Sequence, residues 1–399
     1  MGKPSLYVPP GAMASDGFRA LMDAACQAEW ERNPVHAAFG MYLFSNAVWL
    51  AREMQAGGFD RMVFIARDGW WVKQAYDLVA TALGVTVPSD YVRISRQAAF
   101  PLHFRTPEDL MTLPDWVDVT AHTQRTLMQL LAPNLIPGAV ESMASADEKR
   151  LTEAELPGFI DACRRVWDAS RTEAYRAHAH AYIAPKFVGK CATFDVGYNL
   201  RSESVIRALT GADVTAFVTH MDSAHPEKRG VPFRALYPAR PYVSWVAREQ
   251  FLLEDAPLCV GYDENGPVLV ATGTHVHPGI ERCQRAALAF VADVVRRYGE
   301  RLADMPLRPL EGCMPFERFL HCGPYAWMAP FRRSRLDNAF HAGAGEGNEN
   351  AFLQWRLMQT DLLLARGMPP WRVKLKRALI RLREEPRSFW QRMNPFASE

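Results

Sequence analysis

Three short stretches put charged side chains where apolar runs end. The first is Arg67-Asp68-Gly69, directly after Met62-Val63-Phe64-Ile65-Ala66. A buried strand ending in this turn sets a guanidinium, a carboxylate and a permissive backbone at one place. Arginine grips a phosphate through two parallel hydrogen bonds. Aspartate orients a sugar hydroxyl or takes its proton. The alternative is a structural Arg–Asp pair closing a tight turn, although two charges after a buried run are costly to place without use. Ser95-Arg96 repeats the pattern after Tyr91–Ile94 and reads as a second binding turn or as a strand-end cap. The third stretch is Asp195-Val196-Gly197-Tyr198-Asn199-Leu200-Arg201-Ser202, after Cys191–Phe194. Asp195, Gly197, Tyr198 and Asn199 read as a ligand turn at a helix N-terminus, with Arg201 one turn on and facing the same anion. The competing reading is an ordinary N-cap.

Other combinations carry less. His275 and His277 face one side of an extended segment, but no cysteine or carboxylate stands at ligand spacing. His220, Asp222 and His225 read the same way, and His178 and His180 point apart on a helix. No metal and no cofactor is expected. Gly343-Ala344-Gly345-Glu346-Gly347 follows no strand, so it fails as a phosphate-binding fingerprint and reads as a polar linker or lid. Ser202 and Ser204 lack the glycine-flanked elbow of a serine hydrolase.

The elements that must position these residues alternate between strand and helix. Residues 35–57 are apolar almost all round, which predicts a buried helix stopped by Gly57-Gly58. A strand at 62–66, a helix at 70–83 and a strand at 91–94 follow. Prolines punctuate 100–150, which reads as a helical, irregular insert. One long helix is expected over 157–184, then strands at 191–194 and 214–219 around a helix ending near 209. Residues 222–240 read as loop, 243–253 as helix or strand, and 261–270 as a hairpin turning at Asp263-Glu264-Asn265-Gly266. Pro278 opens a long helix to about 302, 305–350 read as irregular, and helices return at 351–366 and 370–393. The fold class is therefore α/β, with Rossmann-like βα units, a large helical insert and a helical C-terminus. The units may be divided as an N-terminal helical arm (1–33), a first βα unit (34–100), the insert (101–185), a second βα unit (186–304), an irregular or helical region (305–369) and a basic tail (370–399). Pattern alone leaves open whether the two βα units share one sheet or face each other as two halves.

The order of these pieces resembles the second region of bacterial cell-surface polysaccharide assembly proteins, in which it follows a haloacid-dehalogenase-like domain. Ala66-Arg67-Asp68-Gly69-Trp70, Ser95-Arg96, Asp195-Val196-Gly197-Tyr198, Ala256-Pro257 with Gly261-Tyr262, and Gly279-Ile280 with Phe290-Val291 carry the likeness over about 36–295. The haloacid-dehalogenase pattern itself is absent: no D-x-D ends a strand, and Asp195-Val196-Gly197 lacks the second acid. Relatives continue the Asp-x-Gly turn with Gly-Thr, where this chain has Leu200-Arg201. The resemblance implies capsule or lipopolysaccharide assembly, with sugar or sugar-phosphate transfer from a nucleotide sugar. Arg67, Arg96 and Arg201 would hold donor phosphates, and Asp68 or Asp195 would act as base or hydroxyl anchor. A phosphohydrolase on phosphorylated sugars is the first alternative and a non-catalytic assembly subunit the second. A phosphoribosyltransferase would want two adjacent acids where this chain has Asp195 alone.

Composition frames these readings. The chain has 399 residues, 49% of them hydrophobic and 23% charged, which fits a globular protein. A net charge of +2 argues against a general polyanion binder, so nucleic acid is not expected as a partner. Seven scattered cysteines with no C-x-x-C pair point to a reducing compartment. Residues 1–17 show no apolar core of signal-peptide length, and a cytoplasmic protein is expected, peripheral at most to the inner membrane face. That contact is expected from 371–392, where eight Arg or Lys residues stand against Glu384 and Glu385 among Trp371, Leu375, Leu379 and Trp390. Arg383 to Phe389 also resembles the Arg-x-x-Pro-x-x-Phe endings of many capsule and lipopolysaccharide glycosyltransferases.

Overall fold

The computed structural model describes residues 34–117, 119, 122–143, 151–221, 229–237, 245–271, 276, 278–305, 307–322, 335–337, 348–350 and 368–384. The expected N-terminal arm, His275, His277, Asp222, His225, the 343–347 glycines, the 351–366 helix and the tail beyond 384 lie outside them.

Five parallel strands form one continuous sheet in the order β2-β1-β3-β4-β5. They are β1 (Arg61–Ile65), β2 (Ser89–Val92), β3 (Lys190–Tyr198), β4 (Asp213–Met221) and β5 (Phe233–Ala235). The two βα units are thus one Rossmann-like sheet and not two facing halves. β1 reads as a nearly unbroken apolar run because both of its faces are covered. Met62 and Phe64 enter one core, and Val63 and Ile65 enter the other.

The first core lies under α1 (Pro34–Gly57) and α2 (Gly69–Ala82). Two later helices complete it, α9 (Pro278–Tyr298) and α10 (Pro309–Cys322), counted in chain order with the elements below. α1 is apolar almost all round as far as Ala51 because the sheet and helices enclose it. Gly40 lets α9 approach, since a Cβ there would stand 2.6 Å from Phe290 Cδ1. The second core is built by α3 (Arg96–His103), α4 (Gln124–Leu131), α5 (Leu156–Arg165), α6 (Ala169–Ile183) and α7 (Arg201–Thr210). α8 (Trp245–Leu252) and the antiparallel hairpin of β6 (Leu258–Asp263) and β7 (Gly266–Val270) complete the main body. α11 (Pro370–Glu384) is the last described element.

Four expectations need correction. The helix over 157–184 is two helices. Asp168 adopts an extended backbone and accepts from the Ser170 and Arg171 amides, so it caps a new helix instead of continuing the old one. Residues 222–240 contain β5, a strand of three residues with Arg234 at its centre, which leaves no apolar run to read. Residues 305–350 contain α10, formed despite Pro315 because Cys313, Met314, Phe316, Phe319 and Leu320 are buried. Finally, Asp195–Tyr198 is strand and not turn. β3 runs on because β4 pairs with it as far as Tyr198↔Met221.

Candidate functional site

In an order of 2-1-3-4-5 the chain leaves β1 in opposite directions, and the crevice opens between the carboxyl ends of β1 and β3. α2 leaves β1 into the first core, and α7 follows β3 into the second. The first and third charged stretches therefore meet at the switch point of one sheet.

On the β1 side, the Ala66 amide still bonds Val92 O at 3.0 Å before the chain turns. Asp68 occupies the cap position of α2, yet its backbone is helical and its side chain caps nothing. Among the described residues Arg67 and Asp68 form no ion pair; Arg67 Nη1 donates to Ala256 O at 3.4 Å. The structural Arg–Asp pair is therefore not what is found. Gly69 is fixed by packing. A Cβ there would stand 3.2 Å from Phe64 Cβ, a tight approach, and 3.5 Å from Phe194 O, so glycine lets α2 start close against both β1 and β3.

On the β3 side, Asp195 stands one residue past the last β1–β3 pair, Phe64↔Phe194, and opposite Val218. Cys191 lies on the second-core face, and Asp195 shares its alternation, which turns it toward α7. Gly197 pairs with His220, and Asn199 is half-buried just after the strand. Neither Asp195 nor Asn199 caps α7. Leu200 does so in the left-handed region at φ 55, buried and without a side-chain bond. Such a conformation is costly for a residue with a Cβ and persists only where the surroundings impose it.

The carboxyl groups are held out of their ordinary range. Burial pushes Asp68 up to about 6 against the opposing pull of Arg67 and Arg96. Burial raises Asp195 well above its usual value, and the charges of Glu203 and Asp68 raise it further. Glu203, on the first turn of α7, is 1% exposed and pushed up to about 7 by burial, and its Oε1 has no hydrogen-bond partner. Sequence reasoning missed it. An acid in a first helical turn ordinarily reads as a partner of the helix dipole. Each of the three therefore holds its proton to a higher pH than an ordinary carboxyl, and ionisation of Glu203 or Asp68 raises Asp195 further.

The cations are arranged around them. Arg201 begins α7 with its Nε buried and unpartnered, and burial together with Arg229 and Arg96 lowers it to about 10. Arg229, a second omission, lies 4.6 Å over the Trp116 ring and donates to Asp115 O. Arg96 is exposed at the start of α3. Ser95 proves to be the cap: its Oγ accepts from the Ala98 amide at 3.1 Å and donates to Cys259 O at 2.5 Å. Only the backbone of Gly197 and Tyr198 is described, as part of β3. Among the described residues no group of three or more His, Cys, Asp or Glu side chains is arranged to hold a metal ion.

The fold and site define a doubly wound, Rossmann-like α/β protein whose switch point carries buried, raised acids beside arginines. No protein-family model matches the chain, and no curated protein is significantly similar to it.

Proposed function

We propose that the switch-point crevice binds a phosphate-activated sugar and that this chain transfers a phosphoryl or sugar-phosphate group from it. The observation that carries the reading is the meeting of Asp68 and Asp195 on adjacent strand ends of a single sheet, near enough for the charge of one to raise the other. The two environments divide the labour. Asp68, displaced to about 6, is largely ionised near neutral pH and takes the proton of the attacking hydroxyl. The new P–O bond forms as the bond to the leaving oxygen breaks, and Asp195, held well above its ordinary value by burial, gives its proton to that oxygen. Arg67, Arg96 and Arg201 hold the phosphate oxygens.

With water as acceptor the protein is a phosphohydrolase; with a sugar or lipid hydroxyl it is a transferase of surface-polysaccharide assembly, the process its resemblance implies. Glycosyl transfer from a nucleotide sugar is the second reading. The convergence of Arg201, Arg96 and Arg229 favours it, because more than one guanidinium suits a diphosphate leaving group. Incubation with sugar phosphates and nucleotide sugars, with and without acceptor sugars, separates these readings. Inorganic phosphate release identifies the hydrolase, acceptor-dependent nucleoside monophosphate release identifies sugar-phosphate transfer, and acceptor-dependent nucleoside diphosphate release identifies the glycosyltransferase. Binding without turnover would leave a non-catalytic subunit. Unchanged rates in both Asp68→Asn and Asp195→Asn would sink the carboxyl-pair mechanism.

A further inference from the structure

α11 presents two apolar faces, and only one of them is buried. Val373 and Ile380, seven residues apart, are 1% and 6% exposed. Trp371, Leu375 and Leu379, at successive steps of four, are 62%, 54% and 57% exposed. At about 100° per residue those three share one stripe, roughly opposite the buried pair. Arg372 and Lys376 border the stripe on one side and Lys374 on the other, all exposed. No acid occurs in 370–380. A soluble helix ordinarily buries its one apolar stripe and turns charge outward; α11 has an additional stripe edged with cations.

We infer that this outer face of α11 docks the protein on an anionic lipid bilayer. The stripe enters the headgroup region, with Trp371 at the interface, while the flanking cations meet lipid phosphates. Charge selects this occupant. A second copy would bring an identical cationic face against the first, and like charges at contact repel. Three apolar side chains give shallow, reversible attachment, so anionic lipid and low salt are both required. The attachment is independent of the switch-point chemistry and places it beside a lipid-borne acceptor.

The test is co-sedimentation of the full chain with vesicles of phosphatidylcholine alone or containing phosphatidylglycerol, at about 0.1 M and about 0.5 M salt. Binding is expected only with phosphatidylglycerol and is weakened by salt. Leu375→Glu with Leu379→Glu should abolish it while the melting temperature holds, since both side chains are more than half exposed. Lys374→Gln with Lys376→Gln should weaken it roughly 30-fold. Equal binding to both vesicle types, binding to neither, or retained binding in the Leu375/Leu379 variant would overturn the inference. So would a native dimer that this variant dissociates, which would assign the stripe to a second copy.

Discussion

At the scale of single residues, the site combines groups that stability alone would not place together. Each carboxyl at the switch point is raised, so its proton is held more tightly in the folded chain than in the unfolded one. For an acid displaced upward, the contribution to stability is full below the unfolded value and disappears as pH rises through the folded one. The window for Glu203 runs from about 4 to about 7. Glu203→Gln removes a buried charge at pH 8 and little at pH 5. It should therefore raise the melting temperature at the higher pH and leave it nearly unchanged at the lower, and a loss at both would make Glu203 an ordinary packing residue. Asp68→Asn should behave similarly in melts while lowering turnover by about 10²–10⁴. A rate within a few-fold of the native chain would remove Asp68 from the chemistry. Asp68 and Asp195 were legible because each follows an apolar run. Glu203 was not, since nothing local tells a buried glutamate from a solvated one in a first turn. Ser95 was legible as a candidate, but the cap was the half of its reading that the geometry supports.

Among the elements, the strands and helices that set the site follow from apolar period and punctuation. β1 and α2 lie within a residue of their sequence-based limits, and the β6–β7 hairpin turns and ends where expected but begins three residues earlier, at Leu258. What pattern could not supply was pairing. Asp195–Tyr198 contains Gly197 and looks like a turn, but β4 supplies a ladder that carries it on as strand. Likewise 305–350 reads as irregular in sequence, while burial of α10 against α1 outweighs the helical bond that Pro315 removes. The element whose packing bears most directly on the site is α2. Gly69→Ala sets a methyl against Phe64 Cβ and Phe194 O, both in the packed centre of the sheet. Either Phe64 or the start of α2 must give by a few tenths of an ångström, and Asp68 shifts where the helix start gives. A stability loss of about 1–3 kcal/mol in denaturant melts is expected, with ligand affinity falling further than stability. Full retention of both would mean that α2 and the sheet are loosely packed.

For the whole molecule, the decisive property is that the proposed anion site and the raised acids fall at the same place. The switch point gathers three raised acids beside Arg67, Arg96 and Arg201 in a chain of net charge only +2, so the positive potential is local. An anion seated there adds negative charge next to the acids and raises them further. By linkage, binding takes up protons, and affinity must rise as pH falls through the range where the acids titrate. A nucleotide sugar suits the measurement because its diphosphate diester does not itself titrate near neutrality. Its stabilisation of the chain should be larger at about pH 6 than at about pH 8, and the difference should shrink in Asp68→Asn. Arg67→Ala should reduce affinity by about 10–100-fold at both pH values, the effect of losing a charged hydrogen-bond donor. Proton uptake can be checked directly by titration calorimetry in buffers of different ionisation enthalpy. An affinity that is flat in pH or rises toward alkaline values would mean that the anion sits away from Asp68, Asp195 and Glu203. Arg201 with Arg229 would then hold it, and the acids would belong to the scaffold.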